Sequence, residues 1–229
     1  MNTYAKAAAA STSPPLRGYL GADAALAKDD VWAVGAYDYS EGEYHTLVEH
    51  WNVKAWSIIP TPNVGHGASA LFAVAALSPT DAWAVGGYYL GNTTFNTLQF
   101  ENESHTLVEH RDGKVWSVVS SPDPAATGGD AAINVLSTLT VVSPNDIWAV
   151  GAYAYPSTPM RTLAIHLNGT VWSVVPTPNP NGNLDNLLYG VAAESPSSIW
   201  AVGTPMNTGG KIPGHCYALG WRGVEGSTR

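Results

Sequence analysis

Apolar residues in this chain come in short runs, four to a unit, and the unit repeats. In one copy the runs are LFAVAAL (71–77), AWAVGGY (82–88), TLVEH (106–110) and KVWSVV (114–119). Each is short, rich in Val, Trp, Leu and Tyr, and bounded by turn residues, which predicts strands rather than helices. Between the first two runs stand SPTD (78–81), SPND (143–146) and SPSS (195–198). Ser, then Pro, then Asp or Ser at the fourth place is type I turn chemistry. Between the third and fourth runs stand RDGK (111–114) and LNGT (167–170), whose Asp-Gly and Asn-Gly pairs are strong hairpin signals. The predicted unit is therefore a four-stranded antiparallel meander.

The copies align on one word: DDVWAVG (29–35), DAWAVG (81–86), DIWAVG (146–151) and SIWAVG (198–203). The tryptophans Trp32, Trp83, Trp148 and Trp200 are 51, 65 and 52 residues apart, and each follows a leucine by 12 residues (Leu20, Leu71, Leu136, Leu188). A second word, TLVEHWNVKAW (46–56), TLVEHRDGKVW (106–116) and TLAIHLNGTVW (162–172), ends on Trp56, Trp116 and Trp172. Seven of the nine tryptophans hold these two positions, which removes chance as an explanation.

Four antiparallel strands recurring at about 50 residues predict β-propeller blades. The first run carries small residues such as Ala73, Ala75 and Ala76, as strands crowded round an axis require. The WAVG run is apolar on both faces, as a strand buried between neighbouring sheets requires. The expected fold is all-β: a propeller domain over 17–229, with blades at about 17–66, 67–131, 132–183 and 184–229. Residues 1–16 form an N-terminal segment able to supply a weak closing strand. The last repeat is incomplete, since CYALGWRG stands where TLAIHLNG would and no second Trp follows. The first has Asp23 where the others have Val74, Leu139 and Val191, and a buried carboxylate there is costly. A four-bladed ring and an open part of a larger propeller both fit. Open edges allow association with other copies.

Strand, turn, strand ending in Gly, variable loop, strand, then Trp resembles the kelch-type propeller. It is more similar to uncharacterised bacterial proteins built from WAVG and NGxxW units, over roughly residues 17–223. Kelch units carry a double Gly after the second strand, matched here only by Gly86 and Gly87. They have Tyr about six residues before the last Trp, where this chain has His50, His110 and His166. These departures leave the fold inference intact and remove any kelch-specific partner.

The charged fraction is 12% and the net charge −8. With ten scattered Lys and Arg there is no basic footprint for nucleic acid and no polybasic segment for a membrane. Cys216 is the only cysteine, which excludes an internal disulfide and thiolate metal clusters. The N-terminus does not read as a signal peptide. The uncharged polar surface nonetheless favours an extracellular or cell-surface setting.

Topology puts the 1–2 and 3–4 turns at one rim and the irregular 2–3 and 4–1 connections at the other, where a rigid scaffold carries binding loops. Tyr39, Tyr44, Tyr89, Phe95 and Tyr155, with Glu41, Asp123 and Asp185, are the candidate ligand-binding residues there. The seven repeat tryptophans and His50, His110 and His166 read as structural. Histidines repeated on separate blades cannot converge on one metal, so no metal or cofactor is expected. No nucleophile, zinc, P-loop or dinucleotide motif is present. The sequence favours a non-enzymatic binding or scaffold module for a protein or carbohydrate. The alternatives are a carbohydrate-active hydrolase or lyase using loop carboxylates such as Asp38, Glu41, Asp123 or Asp185, and a truncated, non-functional repeat fragment.

Overall fold

Each repeat folds into its own antiparallel sheet. The computed structural model describes residues 17–40, 43–64, 67–89, 103–126, 132–180, 182–206 and 216–222. The first sheet is β1 (Gly18–Ala27), β2 (Asp30–Ser40), β3 (Glu43–Trp51) and β4 (Trp56–Ile58). The second is β5 (Ser69–Ser78), β6 (Asp81–Tyr89), β7 (Ser104–Asp112) and β8 (Trp116–Val118). The third is β9 (Ile133–Ser143), β10 (Asp146–Ala154), β11 (Arg161–Asn168) and β12 (Trp172–Val175). The fourth has three described strands, β13 (Asp185–Ser195), β14 (Ser198–Met206) and β15 (Tyr217–Arg222). In every sheet, hydrogen-bonded order follows chain order.

The WAVG glycine is required by a close approach. A bulge in the first strand, between Leu71 and Ala73 in the second sheet, brings a carbonyl across the neighbouring strand. A Cβ on Gly86 would collide with the Ala70 carbonyl oxygen, and Gly35, Gly151 and Gly203 face the same obstruction from Tyr19, Val135 and Leu187. The β3–β4 type hairpins need a left-handed residue, supplied by Gly113 (φ 86°) and Gly169 (φ 83°) but in the first sheet by Val53 (φ 75°).

The sheets stack face to face, the first strand of each lying on the first three strands of the one before: β5 on β1–β3, β9 on β5–β7 and β13 on β9–β11. Among the described residues no contact of that extent joins the fourth sheet to the first. The described strands thus form an open, partial propeller. Its core is divided among the three interfaces. Trp32, Val34 and Val48 meet Leu107 and Trp116 in the first. Trp83, Val85 and Val108 meet Ile147, Ile165 and Trp172 in the second. Val150 and Ala164 meet Leu188 and Ala201 in the third.

Opening the arc also accounts for Asp23. It lies exposed on β1 at the free face of the first sheet, so its carboxylate stays in water. At the opposite end Trp200 is 42% exposed, whereas Trp32 and Trp148 are fully buried and Trp83 nearly so.

Candidate functional site

The two rims have different chemistry. At the rim of short turns, in the first three sheets, the aspartate that opens the second strand accepts a hydrogen bond from the histidine of the third. His50 Nε2 lies 2.8 Å from Asp30, His110 Nε2 3.0 Å from Asp81, and His166 Nε2 2.8 Å from Asp146. The same histidines stack on the WAVG tryptophans: Trp32 on His50 at 4.0 Å, Trp83 on His110 at 3.9 Å, Trp148 on His166 at 4.2 Å. Each Trp–His–Asp set stays within its own sheet. Among the described residues no group of three or more His, Cys, Asp or Glu could hold a metal ion.

At the loop rim a second repeated device ties down the returning chain. The threonine that opens TLVEH is buried, and its hydroxyl donates to a proline carbonyl: Thr46 to Pro62 at 3.1 Å, Thr106 to Pro122 at 3.2 Å, Thr162 to Pro178 at 3.1 Å. The backbone N–H of the same threonine donates to the next side chain, Asn63 (2.9 Å), Asp123 (2.7 Å) or Asn179 (2.9 Å). A buried polar group needs such partners, and here they fasten the 4–1 connection to the third strand.

Above these clamps the second strand ends in Tyr opposite a basic residue: Tyr37 with His45, Tyr88 with His105, Tyr153 with Arg161. Tyr88 stacks on His105 at 5.0 Å. His105 Nδ1 lies 2.8 Å from Asp123. In the first sheet His45 is held between the Tyr37 hydroxyl (3.4 Å from Nδ1) and Glu43 (3.1 Å from Nε2). Tyr39 lies flat on the His45 ring at 4.3 Å with 11° between planes, and is 56% exposed. Burial, reinforced by Tyr39, pushes the Tyr37 phenol up. Burial, then the Asp123 and Glu103 charges, does the same for Tyr88. Both phenols remain protonated donors.

The candidate ligand residues are thus distributed as follows. Tyr39 is on the exposed end of β2, and Tyr44 is half-buried on β3. Tyr89 ends β6 with its phenol raised by burial. Tyr155 is 41% exposed, with its hydroxyl donating to the Pro124 carbonyl of the preceding sheet at 3.1 Å. Asp123 has both oxygens engaged, on His105 and on the Thr106 N–H. Asp185 accepts the Met160 N–H at 2.8 Å. Glu41 and Phe95 lie outside the described residues, as does the N-terminal segment 1–16. Of the structural tryptophans, Trp116 and Trp172 are buried and Trp56 is 47% exposed.

No family model matches the chain, and no curated protein matches it. Among solved structures, a chain described as "YCF48 bound to D1 peptide" is similar at 12% identity with a TM-score of 0.28. The match covers 86% of this chain and 64% of that one, so this chain spans 64% of that protein's length.

His45 and His105 are the rim residues that sequence reasoning missed. Their signal was present: each stands directly before the threonine of TLVEH, and Arg161 holds the same place before TLAIH.

Proposed function

We propose that the chain is a non-enzymatic binding or scaffold module that presents its loop rim to a protein or carbohydrate partner. The observation that supports this most is the exposed Tyr39 ring, held flat by His45, which is itself pinned by Tyr37 and Glu43. A rigid aromatic face offers contact area at little entropic cost, with a hydroxyl for orientation. Tyr155, fixed by Pro124, and Tyr89 extend the same rim. Two of the loop carboxylates weigh against hydrolysis or elimination, because Asp123 is held by His105 and the Thr106 N–H, and Asp185 accepts the Met160 N–H.

The kelch-like family and the kinship with bacterial WAVG/NGxxW repeats belong to this proposal, on the repeated words alone. So does an extracellular or cell-surface setting, on the low charge. The test is capture on peptide and glycan arrays. Replacing Tyr39, Tyr89 and Tyr155 together with Ala abolishes capture and leaves the circular dichroism spectrum unchanged. Retained capture by the folded variant sinks the site, and turnover of an arrayed glycan by the wild type sinks the non-enzymatic reading.

A further inference from the structure

Three returning connections are fastened by the same clamp, and the first of them is shared with the next sheet. In each, a second hydroxyl stands beside the buried clamp threonine: Thr61 beside Thr46 at 3.4 Å, Ser121 beside Thr106 at 2.7 Å, Thr177 beside Thr162 at 2.7 Å. A hydroxyl has one hydrogen to donate. Thr177 donates it to the Thr162 carbonyl at 2.9 Å, and Ser121 more loosely to the Thr106 carbonyl at 3.5 Å, which draws the connection onto the third strand. Thr61 donates its hydrogen instead to the Glu109 carboxyl, on β7 of the second sheet. In the third sheet Ile165 holds the register position of Glu109 and offers the second clamp no carboxyl.

Glu109 has no exposed surface, and its other oxygen, Oε1, is buried without a partner. An ionised carboxylate there lacks both water and a second donor. The charged and titratable groups around it do not supply one. On β7 itself, Arg111 lies over Trp32 and donates to the Lys114 carbonyl, and His105 is held by Asp123. Across the interface β2 carries Asp38, and β3 carries His50, bound to Asp30. The phenols of Tyr19, Tyr44 and Tyr88 stand at the loop-rim ends of β1, β3 and β6. The residues opposite Glu109 on β6 and β8, Ala84 and Val118, are apolar. Burial raises the Glu109 pKa to about 8, and the Thr61 bond opposes the rise.

The two protonation states treat the clamp differently. A neutral Glu109 can give its own hydrogen to Thr61 Oγ1, which frees the threonine hydrogen for the Thr46 carbonyl, the bond that Thr177 makes in the third sheet. An ionised Glu109 can only accept, and it holds the Thr61 hydrogen away from the clamp. We infer that the protonation state of Glu109 sets how firmly the connection from the first sheet to the second is fastened, tight with the neutral acid and loosened with the carboxylate. Because that connection belongs to the loop rim, alkaline conditions loosen one segment of the rim while the rest keeps its shape. The inference does not depend on the rim being a binding surface.

Nuclear magnetic resonance of the full chain tests it. The backbone signals of Thr46 and Thr61 are expected to titrate together with the Glu109 carboxyl, with a midpoint near the value of about 8, while those of Thr162 and Thr177 stay in place. Hydrogen exchange reads the loosening. The Thr46 N–H, bonded to Asn63 at 2.9 Å, is compared with the Thr162 N–H, bonded to Asn179 at 2.9 Å. Thr46 protection is expected to fall about tenfold or more between about pH 6 and about pH 8 and to level beyond, while Thr162 protection holds. Glu109→Gln, which cannot ionise, removes both the titration and the fall. Should it misfold, Glu109→Ile, the residue of the third sheet, takes its place. Thr61→Val removes the bond that lowers the Glu109 pKa and moves the carboxyl midpoint to higher pH. Thr46 and Thr162 losing protection together marks a global effect and overturns the inference. Thr46 signals that ignore the Glu109 titration overturn it equally, as does a fall in protection that survives both Glu109 variants.

Discussion

Trp83 lies flat on His110, with ring centroids 3.9 Å apart and 17° between the planes, and Asp81 fixes the far nitrogen of that histidine. The stack holds a large apolar ring at the angle the next sheet needs. Trp148 repeats it, fully buried. Trp148→Ala is expected to cost about 3–5 kcal/mol in denaturant unfolding, as for other buried aromatics.

The obstruction at Gly86 sets a stricter limit. An added methyl meets the Ala70 carbonyl, which the bulge holds in place, so the backbone has to move. Gly86→Ala is expected to lose several kcal/mol, on the order of 3 or more. Gly87→Ala, whose Cβ meets nothing closer than 3.3 Å, serves as the milder control in thermal melts.

At Val53 the direction reverses. A β-branched residue is held at φ 75° where the equivalent hairpins use glycine. The side chain is exposed and contributes little packing. Val53→Gly is expected to raise stability by about 1 kcal/mol, the cost of the left-handed conformation for a residue with a Cβ. Thermal melts compared at constant pH check it.

Glu109 gives the fold a pH dependence. It is wholly buried on β7, with Thr61 of the first sheet donating to one carboxylate oxygen. Burial pushes its pKa up to about 8, the Thr61 hydrogen bond opposing the rise. The folded value lies above the unfolded one of about 4.3, so the folded protein keeps a proton that the unfolded chain releases. The stability it carries is complete below about pH 4, declines as pH climbs to about 8, and is level beyond. Glu109→Ile copies Ile165, its register equivalent on β11, and is expected to gain on the order of 3 kcal/mol at about pH 9 and far less at about pH 4. Urea midpoints across that range decide it. Glu49, also raised by burial, leaves a residual slope of the same sign.

The clamp threonines predict local loosening. Thr162→Val keeps the shape but strands the Pro178 carbonyl and removes the bond to Thr177 (2.7 Å). The expected cost is about 1–3 kcal/mol, with faster proteolysis between 176 and 184 than elsewhere.

The strands, their order and the side-by-side repeats were legible because each depends on local pattern: alternation, Ser-Pro turns, Asn-Gly hairpins. Openness was legible in part: Asp23 in place of Val74, Leu139 and Val191, and the incomplete last repeat, pointed to an open arc beside the closed ring, but the choice depends on whether the fourth sheet meets the first, a contact between strands far apart in sequence. The partnership of His110 with Asp81 escaped for a related reason. They are 29 residues apart and meet only once the strands pair. At the rim, Asp123 read as a loop acid free for ligand. The backbone N–H of Thr106 that consumes it is present at every residue and so leaves no trace in spacing.

The Thr–Pro–Asx fastening has a consequence for variation. Because each returning connection is secured at its base by atoms outside its tip, the tip can be lengthened, shortened or exchanged without disturbing the strand beneath. Such a scaffold can trade one specificity for another by cassette replacement, each sheet accepting a new crown while its stem stays rooted.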